Sequence, residues 1–464
     1  MDAQDLPWQG DACSLVDAFR RGERSPLEEF DAAANAIGSG ELNAFSYLEL
    51  DTARAAAADA DTSLPFGGVP MAVKEVDAVA GWPQAEASLV FADRRWPYSC
   101  SEVVRLQKAG AVLVGQTTIS EFGGLNISIS RLHGVTRNPW NLEHTTGGSS
   151  AGSAAAVAGG LLPIATAADG GGSIRIPAGF CGLVGLKGTA GRIPRGPNAP
   201  IGPLTILQGC LSRSVRDTAR WYDVCAGYDP HDPYSLPRID GWERDLGTHD
   251  LRGKRVVIAP ALGQAVLRPE VEAHVREHAE LLAKDAGLEI VDVPVDLPPV
   301  GLAWALTNLV VLREELGDLW PACRDDLTPA IAMGMDIAEQ SFNLDVAAQA
   351  EASRRALNEA MAEVLDRVDF IIAATNPDVA FGAEVDFNTR VGDVMVGPEN
   401  NGALTIPANI TGVPAISIPI GSVLGLPVGM QVIGRHHTDA LLLDLARIVE
   451  QERPWPLVAP GSPR

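Results

Sequence analysis

Ser173 ends a run of three glycines, Gly170-Gly171-Gly172, and opens the segment Ser173-Ile174-Arg175-Ile176-Pro177. Upstream stands a second cluster, Gly147-Gly148-Ser149-Ser150, and a spacer of small, apolar residues separates the two. Glycine lets backbone amides face a cavity with no Cβ in the way. A serine beside such amides is suited to acyl transfer, with the amides receiving the oxyanion. Its hydroxyl attacks a carbonyl only when a base takes the proton. The eight histidines, at 133, 144, 231, 249, 274, 278, 436 and 437, show no triad spacing to a glycine-flanked serine and an acid. Lys74 is the other candidate base, because it ends the apolar run 68–73 and burial there would lower its pKa. To serve near neutrality the ammonium must be destabilised by roughly 4 kcal/mol. A lysine in that place can equally snorkel to water or pair with an acid.

The elements that must position these groups follow from hydrophobic pattern. Short apolar, β-branched runs at 71–73, 111–115, 162–165, 256–259, 289–293, 370–373, 415–418 and 428–433 read as buried strands. Between them, 102–108, 151–158, 215–226, 269–286, 346–368 and 439–452 read as helices, with Asp345 an N-cap and Gly287 a C-cap. Strands alternating with helices along the whole chain mean a layered α/β architecture, helices covering a mixed sheet. Residues 1–60 are alanine-rich and read as a helical segment packed on the core of a single 1–464 domain. The stretches 191–202 and 229–238 read as long surface loops, and no internal repeat or low-complexity linker divides the chain.

Composition excludes several classes of partner. A hydrophobic share of 46% suffices for a large core, and 20% charged residues fits an ordinary water-soluble protein. A net charge of −23 argues against nucleic acid and anionic membranes, either of which wants a basic face. The longest apolar run, 154–168, is interrupted by Pro163 and Thr166 and is too short to span a bilayer. The acidic N-terminus does not read as a signal peptide, and six scattered cysteines without a CxxC fit a reducing, cytoplasmic setting. His274 and His278 share a helix face but lack the glutamate of an H-E-x-x-H site, so a solvated face is expected and no metal.

The run GGSSAGSAAAVAGGLLPIATAADGGGSIRIPAGFCGLVGLK resembles the amidase signature family, and GVPMAVKE resembles its lysine motif. The likeness continues through GAVLVGQTTISEFG, TRNPWN, LSRSVRD, TGVPAISIPIG and GLPVGMQVIG, nearly the whole chain. It implies the amidase signature fold, a large mixed β-sheet covered by helices on both faces. It also implies a cofactor-free amidohydrolase that releases ammonia or an amine from a small-molecule amide through an acyl-serine. Carried over residue by residue, Ser173 is the nucleophile, Ser149 the bridging serine behind a cis Gly148–Ser149 peptide, and Lys74 the base. The amides of Gly170, Gly171, Gly172 and Ser173 would form the oxyanion hole. Supporting parts fall to Ser150 and Ser153 around Ser149, to Arg175 in orienting the nucleophile loop, and to Phe122 in lining the cleft. Relatives are commonly homodimers. Gln116, Ala168, Gly170 and Gly188 depart from the usual residues without removing a catalytic atom, so what they put in question is the substrate. The region holding Trp304, Leu306, Leu309, Trp320 and Cys323 would shape the pocket, which suggests an apolar, aryl or small cyclic amide.

Three other readings compete. Gly148-Ser149-Ser150-Ala151-Gly152 fits the G-x-S-x-G elbow of α/β-hydrolases, with Ser150 as nucleophile and His436 or His437 as base; the polar residues before it do not look like the buried strand an elbow needs. The family resemblance also admits the amidase subunit of a tRNA-dependent amidotransferase, for which Ile176 stands where glutamine is usual. An inactive scaffold is opposed by the survival of Lys74, Ser149 and Ser173 together.

Overall fold

The strands Pro70–Lys74, Val112–Thr117 and Ile164–Asp169 are buried along their whole lengths, as central strands covered on both faces must be. In this computed structural model, which describes residues 6–199, 205–299 and 301–463, Pro70–Lys74 runs parallel to the other two. Phe45–Leu48 and Leu207–Ser212 close the edges of this five-stranded sheet, each antiparallel to its neighbour. A six-stranded sheet follows in the order Glu289–Ile290, Arg255–Ile258, Phe370–Ala374, Leu426–Gly434, Ala415–Val423, Gly185–Lys187. The amide of Val184 donates to Ser212 O at 3.0 Å and that of Ser212 to Val184 O at 3.2 Å, which joins the two into one mixed layer.

Successive strand residues point to opposite faces, and the core divides accordingly. Met71 and Val73 enter one hydrophobic cluster with the helices Ala12–Arg21, Ser101–Lys108, Val215–Cys225, Pro269–Ala286 and Asp439–Glu452. Ala72, Ala165 and Ala167 enter another with Pro26–Ser39, Leu50–Ala58, Ala151–Ala158 and Arg175–Cys181. Helices Gly301–Leu316 and Pro329–Ser341 build a third, smaller cluster around Trp320, Leu316 and Ile331, resting on Phe91 and Phe122.

The helix positions read from sequence recur, and Gly287 caps its helix with φ +65°. The N-cap of Leu344–Arg367 is Asn343, whose side chain accepts from Val346 N at 3.0 Å, so the expected Asp345 cap is corrected. The N-terminal segment is not wholly helical, because Phe45–Leu48 within it supplies an edge strand. The strand expected at 289–293 shrinks to Glu289–Ile290, which is itself the edge of the sheet and pairs only with Arg255–Ile258. Residues 191–194 form irregular backbone that is buried rather than exposed on the surface, and the rest of that stretch from 200 lies outside the described residues.

One buried guanidinium ties the N-terminal segment to this frame. Arg213 donates from Nε to Val157 O, from Nη1 to Trp8 O and Gly10 O, and from Nη2 to Leu162 O. Beside it Asp217 accepts the amides of Ala12 and Cys13, both at 2.9 Å, at the start of the first helix. Arg213→Met strands these carbonyls in the interior, and urea unfolding should show a loss on the order of 3 kcal/mol.

Candidate active site

Lys74 is 1% exposed at the end of its strand. Its Nζ donates to Ser149 Oγ at 2.9 Å and to Ala168 O at 3.0 Å, while its amide donates to Thr166 Oγ1 at 2.7 Å. Burial pushes the ammonium down to about 8, against the attraction of Asp77 and Asp169. Asp77 itself is pushed up by burial, opposed by the hydroxyl of Thr166, the charge of Lys74 and the amide of Gln208. The Lys74 nitrogen therefore faces a hydroxyl in a dry setting, where a neutral amine can take its proton.

Ser149 follows a cis Gly148–Ser149 peptide and is 2% exposed. The backbone of Gly123 passes beside it, so close that a Cβ there would stand 3.1 Å from Ser149 Oγ. Phe122, next in line, has φ +53° and packs edge-on to Phe91 at 5.9 Å, near Leu125 and Leu309. Ser153 bridges the Thr117 hydroxyl at 2.8 Å and Thr166 O at 2.8 Å, and Ser150 donates to Ala168 O at 3.4 Å. Both serve the scaffold around Ser149.

Ser173 is half-buried just before helix Arg175–Cys181, and its hydroxyl forms no hydrogen bond with the described residues. The Lys74–Ser149 half of the expected relay is thus made, while the Ser149–Ser173 contact is open. Catalytic hydrogen bonds of this kind often close only around bound substrate.

The loop between Asp169 and Ser173 is shaped by a buried anion. Asp169 accepts the amides of Gly172 at 2.7 Å and Ile174 at 3.2 Å, and it pairs with Arg175 through two bonds of 2.9 Å. Arg175 also reaches Gln431 Oε1 and Asn409 Oδ1, each at 2.6 Å. Burial alone would push the Asp169 carboxyl up; the Arg175 guanidinium and Asn409 outweigh it and hold the group far below the usual carboxylate range. Gly172 thereby spends its amide on Asp169. Among the described residues, the amides of Gly170, Gly171 and Ser173 have no protein acceptor, so they are the donors open to an oxyanion. The sequence gave Arg175 an orienting part through a carboxylate or loop carbonyls without naming the partners. Asp169, Asn409 and Gln431 come from three separate elements, although Asp169 stands inside the quoted glycine–serine run and Gln431 inside GLPVGMQVIG.

Other candidates fall away from this centre. His436 meets Thr411 O at 3.0 Å and His437 meets Arg192 at 3.3 Å, so neither serves Ser150 as the elbow reading requires. The residues before Ser150 do form a strand, Asn141–Thr145, but it belongs to a two-stranded hairpin outside the main sheet. His274 and His278 are half-buried rather than solvated, bonded to Ile420 O at 2.7 Å and His274 O at 2.9 Å. Trp320 and Cys323 sit inside the third cluster, whereas Trp304 reaches the glycine loop itself, with Nε1 2.8 Å from Gly170 O.

The layered sheet and the buried Lys–Ser pair beside a glycine loop define an amidase signature fold. Residues 30–443 match the family described as Amidase, and the chain belongs to that family. It is 30% identical to a glutamyl-tRNA(Gln) amidotransferase subunit from Legionella pneumophila (strain Corby), over 97% of this chain and 98% of that protein. Among solved structures, a bacterial aryl acylamidase superposes with a TM-score of 0.88 at 27% identity, covering 96% of this chain and 97% of its own. A 6-aminohexanoate cyclic dimer hydrolase complexed with substrate gives 0.85 at 27% identity, with 98% and 99% covered. No described helix is long and apolar enough to cross a membrane.

Two outcomes follow from the geometry. A base must be neutral to accept a proton, so kcat/KM should climb about tenfold per pH unit below the Lys74 pKa and level off above about 8. A pH–rate profile flat from 5 to 9 would remove Lys74 from that part. Asp169→Asn leaves Arg175 charged and fully buried, and should cost about 3–5 kcal/mol in denaturant unfolding, with activity lost in the protein that still folds.

Proposed function

We propose that this chain is a free-standing amidohydrolase that cleaves an apolar or aryl carboxamide, or a small cyclic amide, through an acyl ester on Ser173. The observation that carries the reading is the buried Lys74 Nζ donating to Ser149 Oγ at 2.9 Å, one hydroxyl short of a half-buried serine at the end of the glycine loop. Neutral Lys74 takes the proton of Ser149, which takes that of Ser173 as its oxygen attacks the amide carbon. The amides of Gly170, Gly171 and Ser173 stabilise the oxyanion; one such donor contributes on the order of 3 kcal/mol. The proton returns along the relay to the departing nitrogen, and water then repeats the sequence on the ester, releasing the acid.

The walls near the loop support the substrate class. Trp304, Phe122, Leu125 and Leu309 are apolar and only partly buried, so they keep surface to offer a ligand. The likeness to an aryl acylamidase and to a hydrolase of a cyclic amide points the same way. Ile176 is 4% exposed and fills the space between Gly147 and Gly172, so an apolar side chain rather than an amide stands at position 176.

A second reading has its own support, since the curated relatives include glutamyl-tRNA(Gln) amidotransferase subunits. It requires glutamine as the amide and a partner protein to receive ammonia. The purified chain alone, given a panel of anilides, aliphatic amides, cyclic amides and glutamine, separates the two. Turnover of anilides without a partner, an acyl adduct on Ser173 by intact mass, and loss of both in Ser173→Ala are expected. Turnover confined to glutamine would favour the amidotransferase reading.

A further inference from the structure

Each peptide of the glycine loop is held by its carbonyl. Gly170 O accepts from Trp304 Nε1 at 2.8 Å, Gly171 O from Thr405 Oγ1 at 2.6 Å, and Gly172 O from the amide of Ile176 at 2.7 Å. These peptides are trans, so each plane points its N–H opposite to its C=O. Fixing the carbonyl of one residue therefore aims the amide of the next. The three bonds aim the amides of Gly171, Gly172 and Ser173 in turn. The middle one is taken by Asp169, which leaves Gly171 and Ser173 as the aimed, open pair.

The three anchors differ in what holds them. Ile176 and Thr405 are 4% and 1% exposed, at the starts of short helices buried against the sheet. Trp304 is half-buried and projects from helix Gly301–Leu316, whose Leu312 and Leu316 pack into the third cluster while Trp304 itself rests against the main core. Its ring comes so close to the loop that a Cβ at Gly171 would stand 2.7 Å from Cζ2. The same helix carries Leu309, which packs with Phe122 and Leu125. One helix thus bears both an apolar wall and the anchor for one oxyanion donor.

Building on the acyl-serine reading above, we propose that Trp304 is a positioning residue: its indole N–H sets the Gly171 amide on the developing oxyanion. Helix Gly301–Leu316 thereby makes the fit of the substrate's apolar group count in the rate of acylation rather than in binding alone. An interaction felt only in the transition state changes kcat, whereas a wall that merely holds the substrate changes KM.

Two replacements remove the N–H: Trp304→Phe, which keeps an aromatic ring but a smaller one, and 3-benzothienylalanine incorporated at 304, which is nearly isosteric with indole and lacks the donor. Steady-state kinetics on an anilide and inhibition by an arylboronic acid, a mimic of the tetrahedral oxyanion, are measured for both. The expected result is kcat lower by about 10- to 100-fold, KM within about threefold, and boronate affinity weakened in step with kcat. Retention of wild-type kcat in the benzothienyl protein, or a loss carried by KM with boronate and substrate affinities falling together, overturns the proposal. Wild-type protein treated with a fluorophosphonate should gain the phosphonyl group on Ser173, the probe's mass less the HF that leaves. Absence of that label sinks the acyl-serine reading itself, while labelling combined with unchanged kcat in the variants sinks only the part given to Trp304.

Discussion

The rest of the site depends on the burial of one carboxylate. Asp169 is inaccessible to water at the end of a central strand, and an anion there persists only if the protein replaces its hydration in full. The guanidinium of Arg175 does so with two parallel bonds, joined by the Asn409 amide and by backbone N–H groups of Gly172 and Ile174. Each partner is constrained in turn. The backbone donors force the glycine loop to fold over the carboxylate, and the loop then delivers Ser173. Arg175 is gripped from its far side by Gln431, a residue of the second sheet. A single charge thus sets the loop and locks it against both halves of the β-layer.

The same anion sets a limit on Lys74. Desolvation drives that ammonium toward its neutral form, and Asp169 with Asp77 pulls it back, so it comes to rest at about 8. Lys187 makes a useful contrast. It too is a fully buried lysine at a strand end, pushed by burial to about 7, but its Nζ donates to two backbone carbonyls, Gly188 O and Val413 O. Carbonyls have no proton to give. Two lysines with similar desolvation therefore differ in chemical meaning through their partners alone, and only the one facing a hydroxyl can take part in proton transfer.

Close approach of these parts requires small residues. Helix Ala151–Ala158 is buried on every side and made of alanine, glycine, serine and one valine, and the strand Ile164–Asp169 beside it reads IATAAD. Larger side chains would hold helix and strand apart and move Ser149 away from Lys74. The glycines of the loop act in the same sense, since the Trp304 ring occupies the space a Cβ at Gly171 would need.

Much of this was legible along the chain. Lys74, Ser149 and Ser173 stand in long local motifs, the helices announce themselves by period, and the central strands by continuous apolar runs, because each of these signals is written over neighbouring residues. Strands without a continuous apolar run were not readable: Phe45–Leu48, Gly185–Lys187 and Leu207–Ser212 exist because an edge was available to pair with. Nor could sequence tell that Gly172 gives its amide to Asp169, that Ser150 turns to Ala168 O, or that Trp304 rather than Trp320 meets the glycine loop. The sequence by itself determined the family, the layered α/β class and the candidates for the reacting groups. Tertiary structure alone decided that Asn409 and Gln431 close around the Asp169–Arg175 pair and that Trp304 meets Gly170 O. Those depend on contacts between residues more than a hundred positions apart, where burial rather than spacing selects the partner.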